Sequence, residues 1–194
     1  YQILNILIPL ITVPYASRVL GAEKLGIYSY TYAVASYFAI AAYLGFENYG
    51  NRMIARCRED RELLNRSFSG ALCFQIASGI CACSAYLIYL LFFCRENKVV
   101  AAVQFLYIGS QMLNISWFYF GLEEFKKTAF RSMLVRMVSV VAILLFVKNP
   151  SDIVIYTIIC AGSTLLGSAF LWINIGRYVR FVKVSVQEIL AHAR

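Results

Sequence analysis

Apolar residues fall in six blocks of about 20 residues, separated by short polar connections. A helix of about 20 residues spans roughly 30 Å of hydrocarbon at a rise of 1.5 Å per residue. The blocks therefore predict six transmembrane helices, which we call spans one to six: residues 2–20, 25–45, 69–93, 99–121, 132–147 and 153–175. Residues 177–194 alternate apolar and charged positions, which predicts a cytoplasmic amphipathic tail or a linker to a further lobe.

Composition supports a membrane protein. Of the 194 residues, 61% are hydrophobic and 14% are charged, whereas soluble domains are about half apolar and a quarter charged. We therefore expect an all-α integral membrane bundle without a soluble domain. The net charge of +8 is not interpreted as nucleic-acid binding, because in a membrane protein the placement of the cations carries more information than their sum. The chain begins at Tyr1 without a basic region before a cleavage site, so we expect no signal peptide and a fragment of a longer protein.

The placement of Lys and Arg predicts the orientation, because cytoplasmic loops keep the excess of cations. The connections after spans two, four and six carry twelve cations, and the connections on the opposite side carry five. We therefore expect a multi-pass protein whose amino terminus and tail lie in the cytoplasm. Membrane lipids are its expected surroundings.

Motifs of catalysis and metal binding are missing from the sequence. Most of the six cysteines lie in apolar blocks, where a thiol behaves as a small hydrophobe, and the single histidine is His192. We find no CxxC pair, HExxH motif, acidic DxD-like pair or glycine-rich phosphate loop. The sequence therefore predicts no metal site, no cofactor and no enzyme.

Span four carries a polar stripe. Gln104, Tyr107, Gln111, Asn114 and Phe118 follow one another at steps of three, four, three and four, which places them on one helix face. Amides that faced lipid would lose their hydrogen-bond partners. The stripe therefore predicts either hydrogen bonds between helices or a hydrated cavity that holds a polar substrate.

Three arginines extend the candidate site. Arg136 lies within span five, Arg18 ends span one, and Arg52 belongs to the charged segment 47–66, which predicts an interfacial or short soluble helix. If the three converge, they suit an anionic diphosphate or an acidic sugar. The alternatives are that Arg136 extends to headgroups, that Arg18 is an interfacial anchor and that Arg52 sets the topology. Within the charged segment, Glu47 and Asn48 lie nearest the membrane together with Arg52.

Two further features concern spans one and two. Pro9 and Pro14 predict a kinked first span, since each removes a backbone donor and clashes with the preceding turn. Tyr30 and Tyr37 lie seven residues apart on one face of span two, where they could stack on a sugar or lipid. The alternative for these tyrosines is an interfacial aromatic belt with ordinary packing.

Four strings, in order along the chain, resemble the bacterial polysaccharide exporters, that is, the O-antigen and capsule repeat-unit flippases of the multidrug/oligosaccharidyl-lipid/polysaccharide superfamily. The strings are PLITVPYASRVLG near the start, LGIYSY at 25–30, LGFENYGNRMIARCRED at 44–60 and WFYFGLEEFKKTAFRSMLVRM at 117–137. The resemblance implies two lobes of six helices, of which residues 1–176 would form the first.

The resemblance also implies a function. Members move undecaprenyl-diphosphate-linked oligosaccharides across the bacterial cytoplasmic membrane by alternating access, with an ion gradient of protons or sodium and with polysaccharide polymerases as partners. Arg18, Arg52 and Glu123 stand at positions that match the family strings. We thus predict substrate binding and gating or coupling by two sets of residues. The substrate set is Arg18, Asn48, Arg52, Gln104, Gln111, Asn114 and Arg136, and the gating or coupling set is Pro9, Pro14, Glu47 and Glu123.

Three other functions remain open at this point. A related exporter of drugs or of the lipid-linked peptidoglycan precursor would differ mainly in the chemistry of its cavity. A membrane-integral enzyme of glycan assembly would require a large periplasmic loop, and the outer connections here are only a few residues long. A half-bundle that only binds a partner is the third.

Overall fold

The computed structural model describes residues 2–43 and 45–184, and among these it leaves aside the side chains of residues 2–7, 9 and 125–128. This part of the chain is helical and contains no strand. Its helices are α1 (Gln2–Tyr43), α2 (Phe46–Cys57), α3 (Arg61–Phe92), α4 (Lys98–Val103), α5 (Phe105–Met112), α6 (Ser116–Gly121), α7 (Phe125–Phe146) and α8 (Ile153–Leu171). Short 3-10 turns cover Pro150–Asp152 and Ile175–Arg177.

The first two predicted spans share α1, which changes direction at Gly21. This residue has φ 79° and ψ 164°, a backbone conformation that is almost restricted to glycine. The predicted kink at Pro9 and Pro14 falls within helical backbone, and the non-helical backbone of α1 lies at Gly21 instead. Spans one and two therefore meet at a single-residue corner rather than through a loop.

The charged segment 47–66 divides between two helices, whereas the sequence predicted one. The amphipathic helix α2 ends at Cys57, and α3 begins at Arg61 and continues into span three. Asp60 caps α3, because its carboxylate accepts hydrogen bonds from the backbone N–H groups of Glu62 at 2.9 Å and Leu63 at 3.1 Å.

Span four is also divided. A turn at Gln104 separates α4 from α5, and residues 113–115 separate α5 from α6. The polar stripe was predicted on one continuous helix, but Gln104 and Asn114 lie at the two interruptions, Tyr107 and Gln111 lie on α5, and Phe118 lies on α6.

The apolar character of the helices confirms an all-α membrane protein. Within the described residues, four helical stretches are long and apolar enough to cross a membrane: Arg61–Phe92, Lys98–Gly121, Ala129–Phe146 and Pro150–Arg177. The sequence predicted about six spans. The two that are not among these four stretches are spans one and two, which share α1. Tyrosine and serine lower the hydropathy of the second half of α1. Many large apolar side chains on the other helices are exposed, as lipid contact requires.

Three buried clusters stabilise the bundle. An aromatic cluster around Phe68, Trp117 and Phe118 joins α2, α3 and α6. An alanine-rich cluster around Tyr86 joins α1, α3 and α5, and a third cluster around Leu20 joins α1 to α7 and α8.

Residues 178–184 follow the last 3-10 turn without forming a helix, and Val179 is buried in the aromatic cluster. The Arg180 N–H donates to Asn65 Oδ1 at 2.8 Å, and the Val182 N–H donates to Ser69 Oγ at 3.1 Å. This segment therefore lies against the first turns of α3. Residues 185–194 of the predicted tail are outside the described residues, so the tail stays a prediction.

Candidate functional site

The interruption of span four at residues 113–115 exposes backbone carbonyls that a continuous helix would pair. The two hydrogens of Gln75 Nε2 are shared among three of them, the carbonyls of Gln111 at 3.0 Å, Met112 at 3.2 Å and Asn114 at 2.9 Å. The fourth, the Leu113 carbonyl, accepts from Trp172 Nε1 at 2.8 Å. In a membrane, unpaired backbone carbonyls are costly, so side chains of α3 and of the turn after α8 stabilise the broken helix.

Gln75 stabilises the broken helix and was not among the residues predicted from the sequence. Its side chain is 0% exposed, and its Oε1 accepts a hydrogen bond from Trp117 Nε1 at 2.8 Å. One amide thus holds the broken helix on both sides of the interruption. The signal in the sequence was a lone glutamine within the apolar run of span three.

Beside this interruption lies a cavity of about 580 Å³, which we call the span-four cavity. It is lined by the end of α5, the starts of α2 and α6, the first turns of α7 and the second half of α8. Four residues predicted from sequence line it: Glu47, Gln111, Asn114 and Arg136. The structure therefore brings together predicted residues from three separate parts of the chain: α2, span four and α7.

Hydroxyl groups make up much of the remaining polar lining. The contributing residues are Ser110, Ser116, Ser132, Ser163, Thr164 and Ser168. Ser163 and Thr164 donate their hydroxyl protons to the carbonyls of Cys160 and Ala161 at 2.8 and 2.7 Å. Their oxygen lone pairs can still accept hydrogen bonds. The cavity thus presents acceptors and donors suited to a ligand rich in hydroxyls.

The charge of the cavity differs from the cationic site that three converging arginines would form. Arg136 lines the cavity together with the carboxylate of Glu47. Arg18, Asn48 and Arg52 are exposed and are not among its lining residues. One cation and one anion give the lining no large formal charge, which favours an uncharged polar ligand over a diphosphate.

The remaining candidates lie elsewhere. Gln104 is buried, with 1% of its surface exposed, and its Nε2 has no hydrogen-bond partner. Glu123 forms an ion pair with Arg58, with Oε1 to Nη1 at 2.7 Å. Pro14 is exposed on α1, and the Pro9 side chain lies outside the described residues. Among the described residues, no three His, Cys, Asp or Glu side chains group as metal ligands.

A family model for polysaccharide biosynthesis proteins matches residues 1–192. The chain belongs to this family. Membership and the apolar helices together make it a multi-pass membrane protein.

Two relatives of this family member are each named "Putative O-antigen transporter". The protein from Shigella dysenteriae is 23% identical over 152 residues, which cover 77% of this chain and 38% of the relative. The protein from Escherichia coli (strain K12) is 25% identical over 165 residues, which cover 84% of this chain and 40% of the relative. The chain spans about two fifths of the length of these relatives. No solved structure matches it.

Proposed function

We propose that this chain is part of a transporter that moves a polyprenyl-diphosphate-linked oligosaccharide across the bacterial cytoplasmic membrane during surface polysaccharide biosynthesis. The family match and the names of the two relatives support the process. The span-four cavity is the observation that carries the proposal, because a discontinuous transmembrane helix beside a polar cavity is typical of transporter binding sites.

The cavity would hold the oligosaccharide rather than the diphosphate. Its hydroxyl and amide lining can exchange hydrogen bonds with sugar hydroxyls, and its one cation is accompanied by the carboxylate of Glu47. We assign glycan contacts to Gln111, Asn114 and Arg136. A guanidinium group can donate several hydrogen bonds to neighbouring sugar oxygens in one plane.

The diphosphate would stay at the level of the lipid headgroups on either side of the membrane. Arg18 and Arg52 flank the second half of α1, and residues 22–43 of that half extend over about 33 Å at 1.5 Å per residue. This distance is close to the roughly 30 Å thickness of the hydrocarbon core. We therefore assign Arg52, with Asn48, to the diphosphate at the cytoplasmic end and Arg18 to the diphosphate at the outer end.

Transport by alternating access requires that the two ends open in turn. We assign gating at the cytoplasmic end to Glu47 and to the Glu123–Arg58 ion pair, and bending of the first span to Pro9 and Pro14. A proton or sodium gradient would couple to these movements, and polysaccharide polymerases would receive the product.

The test uses the full-length protein as the cell makes it, in a strain that lacks the native gene. We expect Gln111→Leu and Arg136→Gln to reduce surface polysaccharide at least about tenfold, because each removes polar contacts that a hydroxyl-rich ligand requires. Arg18→Ala and Arg52→Ala should cause a comparable loss through the diphosphate. Surface polysaccharide is measured by gel analysis, and membrane abundance is measured by immunoblot.

Lys148→Gln is the matched control for Arg136→Gln, since Lys148 is exposed and lies outside the cavity lining. This variant should keep normal polymer. Normal polymer in both cavity variants, at normal membrane abundance, would show that the span-four cavity does not carry the substrate.

A further inference from the structure

A second cavity, of about 520 Å³, lies at the other end of the second half of α1. It is formed by the residues that follow the corner at Gly21, by the end of α3 and by the loop 93–97. We call it the tyrosine pocket. Glu23 lines this pocket and Glu47 lines the span-four cavity, so a helix of about membrane length separates the two.

Aromatic rings form one side of the tyrosine pocket. The rings of Tyr89 and Phe93 are 6.4 Å apart between centroids and only 4° from parallel, and both line the pocket. Tyr30 contributes a third ring from α1, and its side chain is 66% exposed. The pocket therefore offers aromatic ring surfaces from two helices.

Charged groups complete the lining. The carboxylate-bearing residues Glu23 and Glu96 come from α1 and from the loop 93–97, and Arg95 is the cation of the lining. Glu23 Oε1 also lies 3.6 Å from Lys24 Nζ, so two carboxylates accompany two cations and no net positive charge favours a phosphate. The headgroup of a phospholipid is therefore a poor ligand. Carboxylates accept hydrogen bonds strongly and can hold hydroxyl groups.

We propose that the tyrosine pocket binds a saccharide unit, with a pyranose ring stacked on the aromatic face and its hydroxyls donating to Glu23 and Glu96. The choice of a saccharide as ligand rests on the proposed function. An ammonium group prefers rings that surround it as a cage, whereas the rings of Tyr89 and Phe93 lie parallel to each other. The pocket provides a second glycan site at the end of the bundle opposite the span-four cavity.

The two exposed tyrosines of span two supply a matched pair of variants. Tyr30 and Tyr37 lie on the same helix and are 66% and 75% exposed, but only Tyr30 is among the residues that line the pocket. Both would serve equally as members of an interfacial aromatic belt. Saccharide binding that depends on Tyr30 and not on Tyr37 therefore separates a binding pocket from a lipid contact.

The experiment uses the full-length protein in lipid nanodiscs, with methyl β-D-glucopyranoside and methyl N-acetyl-β-D-glucosaminide as probes. Saturation-transfer difference NMR measures the dissociation constants, and empty nanodiscs provide the blank. The measurements are repeated in the Gln111→Leu chain, so that binding in the span-four cavity does not contribute. We expect Tyr30→Ala to weaken binding of at least one probe roughly fivefold to tenfold, the loss of one aromatic contact.

A second variant keeps the test independent of any effect of Tyr30 on folding. Glu96→Ala changes an exposed loop residue and should weaken binding similarly, whereas Tyr37→Ala and Glu59→Ala should bind as the unchanged chain does. Absence of saccharide binding, equal losses in Tyr30→Ala and Tyr37→Ala, or preferential binding of choline would each overturn the proposal. If the tyrosine pocket binds a saccharide while Gln111→Leu and Arg136→Gln keep normal polymer, the proposed function is overturned and the saccharide site in the tyrosine pocket is retained.

Discussion

The two interruptions of span four differ in what happens to their backbone. At Gln104 the chain keeps its own hydrogen bonds, because the Gln104 N–H donates to the Ala101 carbonyl at 3.0 Å and the Gln104 carbonyl accepts from Tyr107 at 3.0 Å. At residues 113–115 the carbonyls rely on side chains of Gln75 and Trp172. At the first interruption an outside side chain, the Tyr86 hydroxyl, donates to the Ala101 carbonyl at 2.7 Å in addition to the backbone hydrogen bonds. At the second interruption the carbonyls of Met112, Leu113 and Asn114 are paired with side chains of other segments.

The two glutamines show the same contrast. Gln75 is buried with its amide nitrogen sharing its two hydrogens among three carbonyls and its oxygen accepting from an indole, whereas the buried amide nitrogen of Gln104 has no partner. A buried amide in a membrane helix therefore does not by itself identify a site. What matters is whether the amide replaces hydrogen bonds that the backbone has lost.

The largest effect should follow from Gln75→Leu. The substitution leaves the Met112 and Asn114 carbonyls and the Trp117 indole N–H without a partner, whereas the Gln111 carbonyl still accepts from the Asn114 N–H. Each buried unsatisfied group costs about 1–3 kcal/mol. We expect the free energy of unfolding to fall by about 3 kcal/mol or more. Denaturant titration of the protein in mixed micelles measures this change.

The same variant should also disturb the span-four cavity, because Gln111 and Asn114 belong to the segment that Gln75 holds. Hydrogen exchange at residues 111–116 should therefore accelerate more than exchange in α8. If the Gln75→Leu protein unfolds at the same denaturant concentration as the unchanged protein, the interruption at residues 113–115 is stable without the Gln75 amide, and the stabilising role of Gln75 is contradicted.

A smaller effect should follow from Trp172→Phe. The phenylalanine retains most of the apolar contact, but the Leu113 carbonyl loses its indole donor. We expect a loss of about 1–2 kcal/mol in the free energy of unfolding, the cost of one unsatisfied carbonyl. The matched control is Trp117→Phe, which also removes an indole donor but frees Gln75 Oε1 rather than a backbone carbonyl. Gln75 holds more carbonyls of the interruption than Trp172 does. If Trp172→Phe lowered the free energy of unfolding as much as Gln75→Leu does, this difference between the two side chains would be contradicted.

The smallest effect should follow from Gln104→Leu. The substitution removes a buried amide donor that has no partner and leaves the backbone hydrogen bonds of that turn in place. Stability should stay within about 0.5 kcal/mol or increase, since replacing an unsatisfied polar group by an apolar one of similar size removes its desolvation cost. A loss above about 2 kcal/mol, measured by the same titration, would mean that Gln104 has a partner and that the first interruption also depends on it.

Much of the site was predictable because helix periodicity and the cost of buried polar groups are local properties. The steps between Gln111 and Asn114 predicted a shared face, and Arg136 in an apolar run required a polar surrounding. The structure places both amides and the arginine at one cavity. Arg18 and Arg52 are not among the residues that line this cavity. Their positions relative to Arg136 could not be predicted, because spacing within one helix says nothing about distances between helices.

Other features could not be read from the sequence. The interruption at residues 113–115 contains neither glycine nor proline, and its stabilising partner Gln75 lies about 40 residues earlier. The corner at Gly21 was predicted only as a short connection, because a lone glycine does not reveal its backbone angles. The ion pair between Arg58 and Glu123 depends on the packing of α2 against α6.

The corner at Gly21 has a mechanical consequence. A loop of several residues would let its two helices tilt separately, whereas here the relative orientation of the halves of α1 depends mainly on the two backbone dihedrals of one residue. A side chain at this position would be strained at φ 79°. A change in the tilt of the first half relative to the second therefore requires a change in the two dihedrals of Gly21.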